Sequence, residues 1–390
     1  MTSASLFDRY RVIDIDTHVT EPPDVWTARV EKRFGDRVPH VRRVNGVDLW
    51  FIGEQGVGMP GAYSAAGHTG TYPDCRRSFD EIPAPMYDAK ARLAFLDAEG
   101  IWANVVYPNV GGFGAAGFLK LGDPELMLAC VRAYNDWLLE WCGADLRRLV
   151  PVMATPFWDV PAAVREVERC AARGYRALLF CNQPQDFGQP LLRDRYWDPV
   201  WAAAQEAGLS VSFHVGGGDL AQQFEDPAKI GIHANFARIS ALSFLDNGRC
   251  LVDLILSGIP HRFPRLPLVS VESGVGWIPF VLEALDWQWR NNGVAGEHPE
   301  WDLLPSEYFR RQIYASFWFE ESGIGPALEL YPDNVLFETD YPHPTCQAPG
   351  PASAGTHPRV YAERALGGVP EAVVAKVLQD SATRLYGLAW

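Results

Sequence analysis

Residues 11–22 read RVIDIDTHVTEP, a short apolar run that ends in an acid and an imidazole two positions apart. Val12, Ile13 and Ile15 predict a strand, and in a strand residues i and i+2 share a face. By that alternation Asp14, Asp16 and His18 are expected on one face, with the last two at the carboxyl end. A carboxylate and an imidazole converging there are the donors that a metal site in a parallel-sheet enzyme needs. The motif alone also fits a surface Asp and His in a strand-to-loop turn, so the later strands decide.

Seven further strand candidates follow, at residues 101–108, 149–155, 176–181, 209–215, 268–272, 313–316 and 335–339. Helical stretches separate them at 87–100, 123–145, 161–173, 198–207, 235–257 and 277–290, and one more lies near 371–385. Gly100, Gly174 and Gly208 stand between helix and strand, as αβ loops of a β/α repeat require. Eight such units predict an α/β protein of the (β/α)8 TIM-barrel type, with a long insertion after strand 1 and C-terminal helices. A dinucleotide-binding doubly wound sheet lacks its fingerprint: Gly216-Gly217-Gly218 follows a strand without GxGxxG spacing. No shift in composition marks a second domain, so residues 1–390 are expected to form one. Residues 26–86 are rich in Gly, Pro and Tyr, with a hairpin expected at 41–52 turning on Asn45-Gly46. A segment this long after a first strand reads as an insertion covering the barrel mouth.

Composition narrows the partners. The 390 residues carry a net charge of −14 and no basic run, which argues against nucleic acid and anionic membranes. No stretch of about 18 apolar residues occurs, and the N-terminus lacks the apolar core of a signal peptide. Seven Cys without a CxxC pair suit free thiols in a reducing compartment, and the cytoplasm is the expected location.

Barrel enzymes carry their reactive groups at the carboxyl ends of strands. The first strand offers Asp16 and His18, the fifth His214, the sixth Glu272, and the eighth Asp340 with His343 just beyond. Buried together without a cation, Asp16, Glu272 and Asp340 would repel one another and protonate. A divalent metal held with His18 and His214 removes that conflict. Arg76 and Arg77, within the insertion, are candidates for binding a substrate carboxylate, although a solvated surface role fits them as well. Trp277, Tyr107, Phe180 and Tyr341 are expected near the mouth, where aromatic walls would suit a ring or a conjugated chain. Ordinary barrel packing explains each of them too.

The combination of Asp16-Thr17-His18 with Glu21-Pro22, the strand-five His214, the block FPRLPLVSVESGVGWIPFVLEALD and the TDYPH around Asp340 resembles the amidohydrolase superfamily. Within it, the chain resembles the amidohydrolase-related branch of the 2-amino-3-carboxymuconate 6-semialdehyde and γ-resorcylate decarboxylases, from about residue 11 onward. The resemblance implies a metal-dependent hydrolase-type barrel with one divalent ion, bound by Asp16, His18, His214 and Asp340. It also implies a proton-shuttling role for Asp340, and relatives that are often homodimers. The Trp-rich stretches 137–141 and 287–289 would supply an apolar interface, unless they simply pack the core. In one respect the chain departs: the semialdehyde decarboxylases carry a water-activating His at the end of strand six, where this sequence has Glu272. Glu272 is therefore open as a general base, a further ligand or a structural group. His343 is a second acid/base candidate or a hydrogen-bond donor to a ligand.

The expected enzyme is a carboxy-lyase, a non-oxidative decarboxylase of an aromatic or unsaturated carboxylate. The alternatives are a hydrolase that uses a metal-activated water on an amide, lactone or C–C bond, and a catalytically silent binding barrel. The partner is thus a small-molecule carboxylate or cyclic substrate. Mixed nitrogen and oxygen donors suit zinc or manganese, and less well iron.

Overall fold

The computed structural model describes residues 5–344, 346–347 and 355–389. Strand β1 (Val12–His18) is followed by a small antiparallel sheet of β2 (His40–Val44), β3 (Val47–Ile52) and β4 (Gln55–Gly58). Then come β5 (Ile101–Tyr107), β6 (Leu149–Ala154), β7 (Ala177–Leu179), β8 (Ser210–His214), β9 (Leu268–Val271), β10 (Ile313–Phe317) and β11 (Val335–Phe337). Strand β1 and strands β5 to β11 pair in sequence order as one parallel eight-stranded sheet with helices between them, an α/β TIM barrel. The sheet closes beyond β11, where Thr17 bridges Tyr341. The backbone N–H of Asp340 donates to Asp16 (3.0 Å) and that of His18 to Tyr341 (2.7 Å).

The barrel interior is apolar. Ile13, Ile15, Val105, Val152, Val271 and Leu336 interdigitate there, and Tyr386 of the C-terminal helix joins them. A second, larger core fills the layer between strands and helices. The expected hairpin forms on Asn45-Gly46 but gains a third strand, β4, through a tight turn at Gly53 that the sequence pattern did not reveal. Helices begin where acids cap them: Asp88 accepts from Ala91 N–H (2.8 Å) and Asp159 from Ala162 N–H (2.9 Å). Gly100 and Gly208 end theirs in the left-handed conformation (φ 73° and 69°), which is why glycine stands there. Short helices at Pro305–Gln312, Ile324–Leu330 and Pro358–Ala365 went unrecognised, because each is too brief to show a clear apolar period.

One expectation is overturned. Asp14 does not share a face with Asp16 and His18, because the register of β1 against β5 shifts between Asp14 and Thr17. A bulge adds a residue and reverses the alternation beyond it. Asp14 points into the helix layer, where its carboxylate accepts from Thr339 N–H (2.9 Å) and Thr339 Oγ1 (2.6 Å) and lines an apolar cavity with Phe95 and Leu96.

Arg92, fully buried, braces this seam from outside. It donates to His18 O (2.7 Å), Pro85 O (2.6 Å) and Asn104 Oδ1 (3.3 Å), and its guanidinium lies 4.7 Å from the Tyr341 ring centroid. Replacing it leaves several buried acceptors without donors. Arg92→Met is expected to lower unfolding stability by about 3 kcal/mol, read as a lower urea midpoint at an unchanged m-value. An unaltered midpoint would show that the brace is dispensable.

Candidate metal centre

Asp16 and His18 leave β1 beyond the bulge, His214 ends β8, Glu272 follows β9, and Asp340 follows β11. The fold brings the five together, all of them buried. His18 Nε2 lies 3.4 Å from Asp16 Oδ1 and 3.4 Å from Asp340 Oδ1. His214 Nε2 lies 3.4 Å from Asp16 Oδ1 and 3.4 Å from Glu272 Oε2. One donor atom from each of Asp16, His18, His214 and Glu272 falls within 4.8 Å of the others, as does one from each of His18, Glu272, Asp340 and His343. His18 and Glu272 belong to both groups and link them, whereas neither group joins Asp340 to Asp16 and His214.

The donor set fits a cation. Both oxygens of Asp16, Oδ2 of Asp340, and Nε2 of His18 and His214 are buried without a hydrogen-bond partner. Buried polar atoms are normally paired, so orphaned donors clustered this closely fit a bound cation. Each imidazole is turned for the purpose. Nδ1 of His18 faces Pro108 O (3.2 Å) and Nδ1 of His214 faces Val215 O (2.9 Å), and donation there leaves Nε2 with its lone pair toward the cluster. Two donors about 2.1 Å from a shared ion at a tetrahedral angle stand roughly 3.4 Å apart, the spacing seen here.

Electrostatics point the same way. Burial pushes the Glu272 carboxyl up to about 8 and, with Glu272 and Asp16 nearby, raises that of Asp340 well above its usual range. Burial disfavours a charge on His214, but Asp16 and Glu272 overcome it and bring the imidazole up to about 8. Asp16 is itself buried, yet the two imidazoles hold its carboxyl below the usual range. Without a cation, protons therefore fill the cluster. Backbone conformation is strained at the same residues, since Glu272 (φ 56°) and Asp340 (φ 58°) lie in the left-handed region that non-glycine residues avoid.

His343 stacks on His18 with ring centroids 3.7 Å apart. Its Nδ1 lies 2.8 Å from Asp340 Oδ1, and its Nε2 lies 2.7 Å from Asn109 Oδ1. Asn109 is in turn fixed by Glu21, whose Oε1 accepts from the N–H groups of Asn109 (2.8 Å) and Val110 (3.1 Å). Burial pushes the Glu21 carboxyl up to about 7 in spite of those bonds.

A cavity of about 740 Å³ opens above the cluster, with Glu272, Asp340 and His343 at its deep end. Arg76, Arg77 and Trp277 do not line it. The Arg76 guanidinium donates to the carbonyls of Ser64 and Ala66 and so holds the insertion together. Arg77 is exposed, and Trp277 donates to Ser273 O (2.9 Å). Tyr107, Phe180 and Tyr341 lie outside the lining too; Tyr63, Tyr72, Phe113 and Phe236 form it instead. Phe113 stacks on His214 at 4.1 Å. Tyr63, Tyr72 and Phe113 sit in the insertion or in a loop where no period marks them, while Phe236 lies in the helix Ile232–Leu256, whose period does not say which face meets the cavity. Glu338 was also missed. It is fully buried, accepts from Glu272 N–H (3.2 Å), and its carboxyl is raised well above the usual range, first by burial and then by Asp16. A Glu inside the apolar run VLFETD, two residues before Asp340, was the available signal.

Comparison with known proteins places the chain among relatives. A family model described as amidohydrolase matches residues 112–388. The γ-resorcylate decarboxylase of Rhizobium radiobacter is 26% identical over 272 residues, which cover 64% of this chain and 76% of the relative. The crystal structure of an amidohydrolase from Mycobacterium avium subsp. paratuberculosis K-10 superposes with a TM-score of 0.75 at 26% identity, covering 97% of this chain and 99% of that one. A dihydroxybenzoic acid decarboxylase from Polaromonas sp. JS666, solved with manganese and 2-nitroresorcinol, has the same fold at TM-score 0.61 and 17% identity, covering 97% of each chain.

A cation entering the cluster must displace protons from His214, Glu272 and Asp340. Divalent-metal affinity is therefore expected to rise with pH through about 8, where His214 and Glu272 lose their protons. Calorimetry at pH 7 in buffers of different ionisation heat should show net proton release on manganese addition. Binding without proton release would contradict this electrostatic picture.

Proposed function

The chain belongs to the amidohydrolase family, and on that premise we propose that it is a metal-dependent, non-oxidative decarboxylase of an aromatic or unsaturated carboxylate. The observation that carries this reading is the set of orphaned donors on Asp16, His18, His214 and Asp340 beneath an apolar cavity. These four residues would hold one divalent ion. Manganese is the first to test, since a decarboxylase of this fold carries it, and zinc is the next. When bound, the ion supplies positive charge that draws a substrate carboxylate to the foot of the cavity.

The protein's own groups do the rest. Losing CO2 breaks the bond between ring and carboxylate and requires a proton at the same carbon. Asp340, with His343 Nδ1 2.8 Å from its Oδ1, is placed to carry that proton. Glu272, 3.4 Å from His214 Nε2, adjusts the charge at the cluster. Phe113, stacked over His214, presents a ring face to a planar substrate and keeps water out. In this reading the chain is one domain, and the insertion at about 26–86 covers the mouth, since Tyr63 and Tyr72 come from it.

A second reading, hydrolysis of an amide, lactone or C–C bond, is favoured by one specific observation. Glu272 is a buried carboxylate pushed up to about 8, which suits a general base. Two further parts of the proposal concern the protein's setting. Among the described residues no helix is long and apolar enough to cross a membrane. Buried thiols at Cys130, Cys142 and Cys250 support a reducing cytoplasm. A homodimer is supported by Phe280 and Trp287, which are 75% and 65% exposed and seven residues apart on one helix.

The manganese-loaded protein should release CO2 from members of a panel of hydroxybenzoates and unsaturated carboxylates, and no acid from lactones or amides. Asp340→Asn is expected to reduce that rate by about a thousandfold, while Glu272→Gln reduces it by about tenfold. Acid release abolished by Glu272→Gln would install the hydrolase reading instead, and inertness toward both classes would leave a silent barrel.

A further inference from the structure

We propose that the outer part of the cavity is a separate apolar subsite that takes an extended, uncharged aryl group, so that the preferred substrate is a monocarboxylate larger than one ring. The inference rests on the decarboxylase reading above, which places the reacting carboxylate at the metal cluster. Its own support is the character of the far wall.

That wall is built by the insertion between β8 and β9. Leu220, Phe224, Phe236, Ile239 and Phe244 come from it, and Tyr72 reaches across from the opposite side. The aromatic rings are already packed against one another. Tyr72 meets Phe236 edge-to-face at 4.8 Å, and Phe224 meets Phe236 edge-to-face at 5.7 Å. The two sides are tied where His233 Nδ1 lies 2.9 Å from Tyr72 O. The wall is thus preformed, yet Phe224 remains 41% exposed, a cost to solubility that an apolar ligand would relieve.

Charge is confined to the other end. Apart from tyrosines, the titratable side chains among the described lining residues are Glu272, Asp340 and His343, all at the cluster. None of the described lining residues is Lys or Arg, and the sequence from 344 to 358 contains neither. Ser243, a hydroxyl on the far wall, donates to Ile239 O (2.9 Å) within its own helix. A second carboxylate carried into this region would lose its hydration and meet no cation. Size agrees with charge: about 740 Å³ lies in the range of sites for ligands of several rings, and a single benzoate would leave most of it unfilled.

The test uses manganese-loaded protein and calorimetry with three probes: benzoate, biphenyl-3-carboxylate and biphenyl-3,4′-dicarboxylate. Biphenyl-3-carboxylate should bind at least about tenfold more tightly than benzoate, as expected from burying one phenyl ring. The dicarboxylate should bind at least about tenfold more weakly than biphenyl-3-carboxylate. Phe236→Leu and Phe236→Ala should shrink the biphenyl-to-benzoate ratio stepwise; each variant's own benzoate affinity is the reference, so a general loss of folding does not mimic the effect. Equal affinities for benzoate and biphenyl-3-carboxylate, or a dicarboxylate that binds as well as the monoacid, would overturn the subsite. Monocarboxylate affinities that ignore metal removal, with the biphenyl preference intact, would overturn the decarboxylase reading and keep the subsite.

Discussion

The hydrogen bond from Asp340 N–H to Asp16 O closes the barrel, and it sets two buried carboxylates beside each other. A sheet that ended openly after β11 would let the chain carry Asp340 away from β1. Closure forbids that, and the left-handed backbone at Asp340 (φ 58°) is the local strain accepted to make the turn. Two like charges held so close in a low-dielectric interior must be neutralised by protons or by a cation. His18 and His214 contribute donors to the same point, with Nδ1 of each anchored on a backbone carbonyl. The barrel's topology and the site's chemistry are therefore one constraint.

Around the seam the protein spends buried polar groups that hold residues rather than react. Asp14 fixes Thr339, the neighbour of Asp340, and Arg92 holds the carbonyl of His18. Glu21 fixes Asn109, which bonds His343. Each removes freedom from a group facing the cluster, so that donors are preorganised before any ligand arrives. A few of these contacts are costly individually, because desolvated Asp14 and Glu21 both resist ionisation.

Much of this was legible in the chain itself. Apolar runs separated by helices identified the eight barrel strands, and acids or imidazoles at four strand ends marked the cluster. The bulge in β1 was not legible, since an added residue changes the register without changing composition, and Asp14 was therefore assigned to the wrong face. Glu338 directly follows β11, which ends at Phe337, two residues earlier than the apolar run alone suggests. Asn109 and Phe113 owe their positions to loops and to tertiary packing, on which hydrophobic periodicity is silent. Arg76, a cation in the insertion, is engaged by two backbone carbonyls, a tertiary contact that composition does not reveal.

The central claim is that side chains from three distant parts of the chain share one cation. An anomalous-difference map from crystals of the manganese-loaded protein tests it most directly. The account predicts a single peak about 2.0–2.4 Å from Nε2 of His18, Nε2 of His214 and a carboxylate oxygen of each of Asp16 and Asp340. A peak bound elsewhere, or none at full manganese loading, would contradict it.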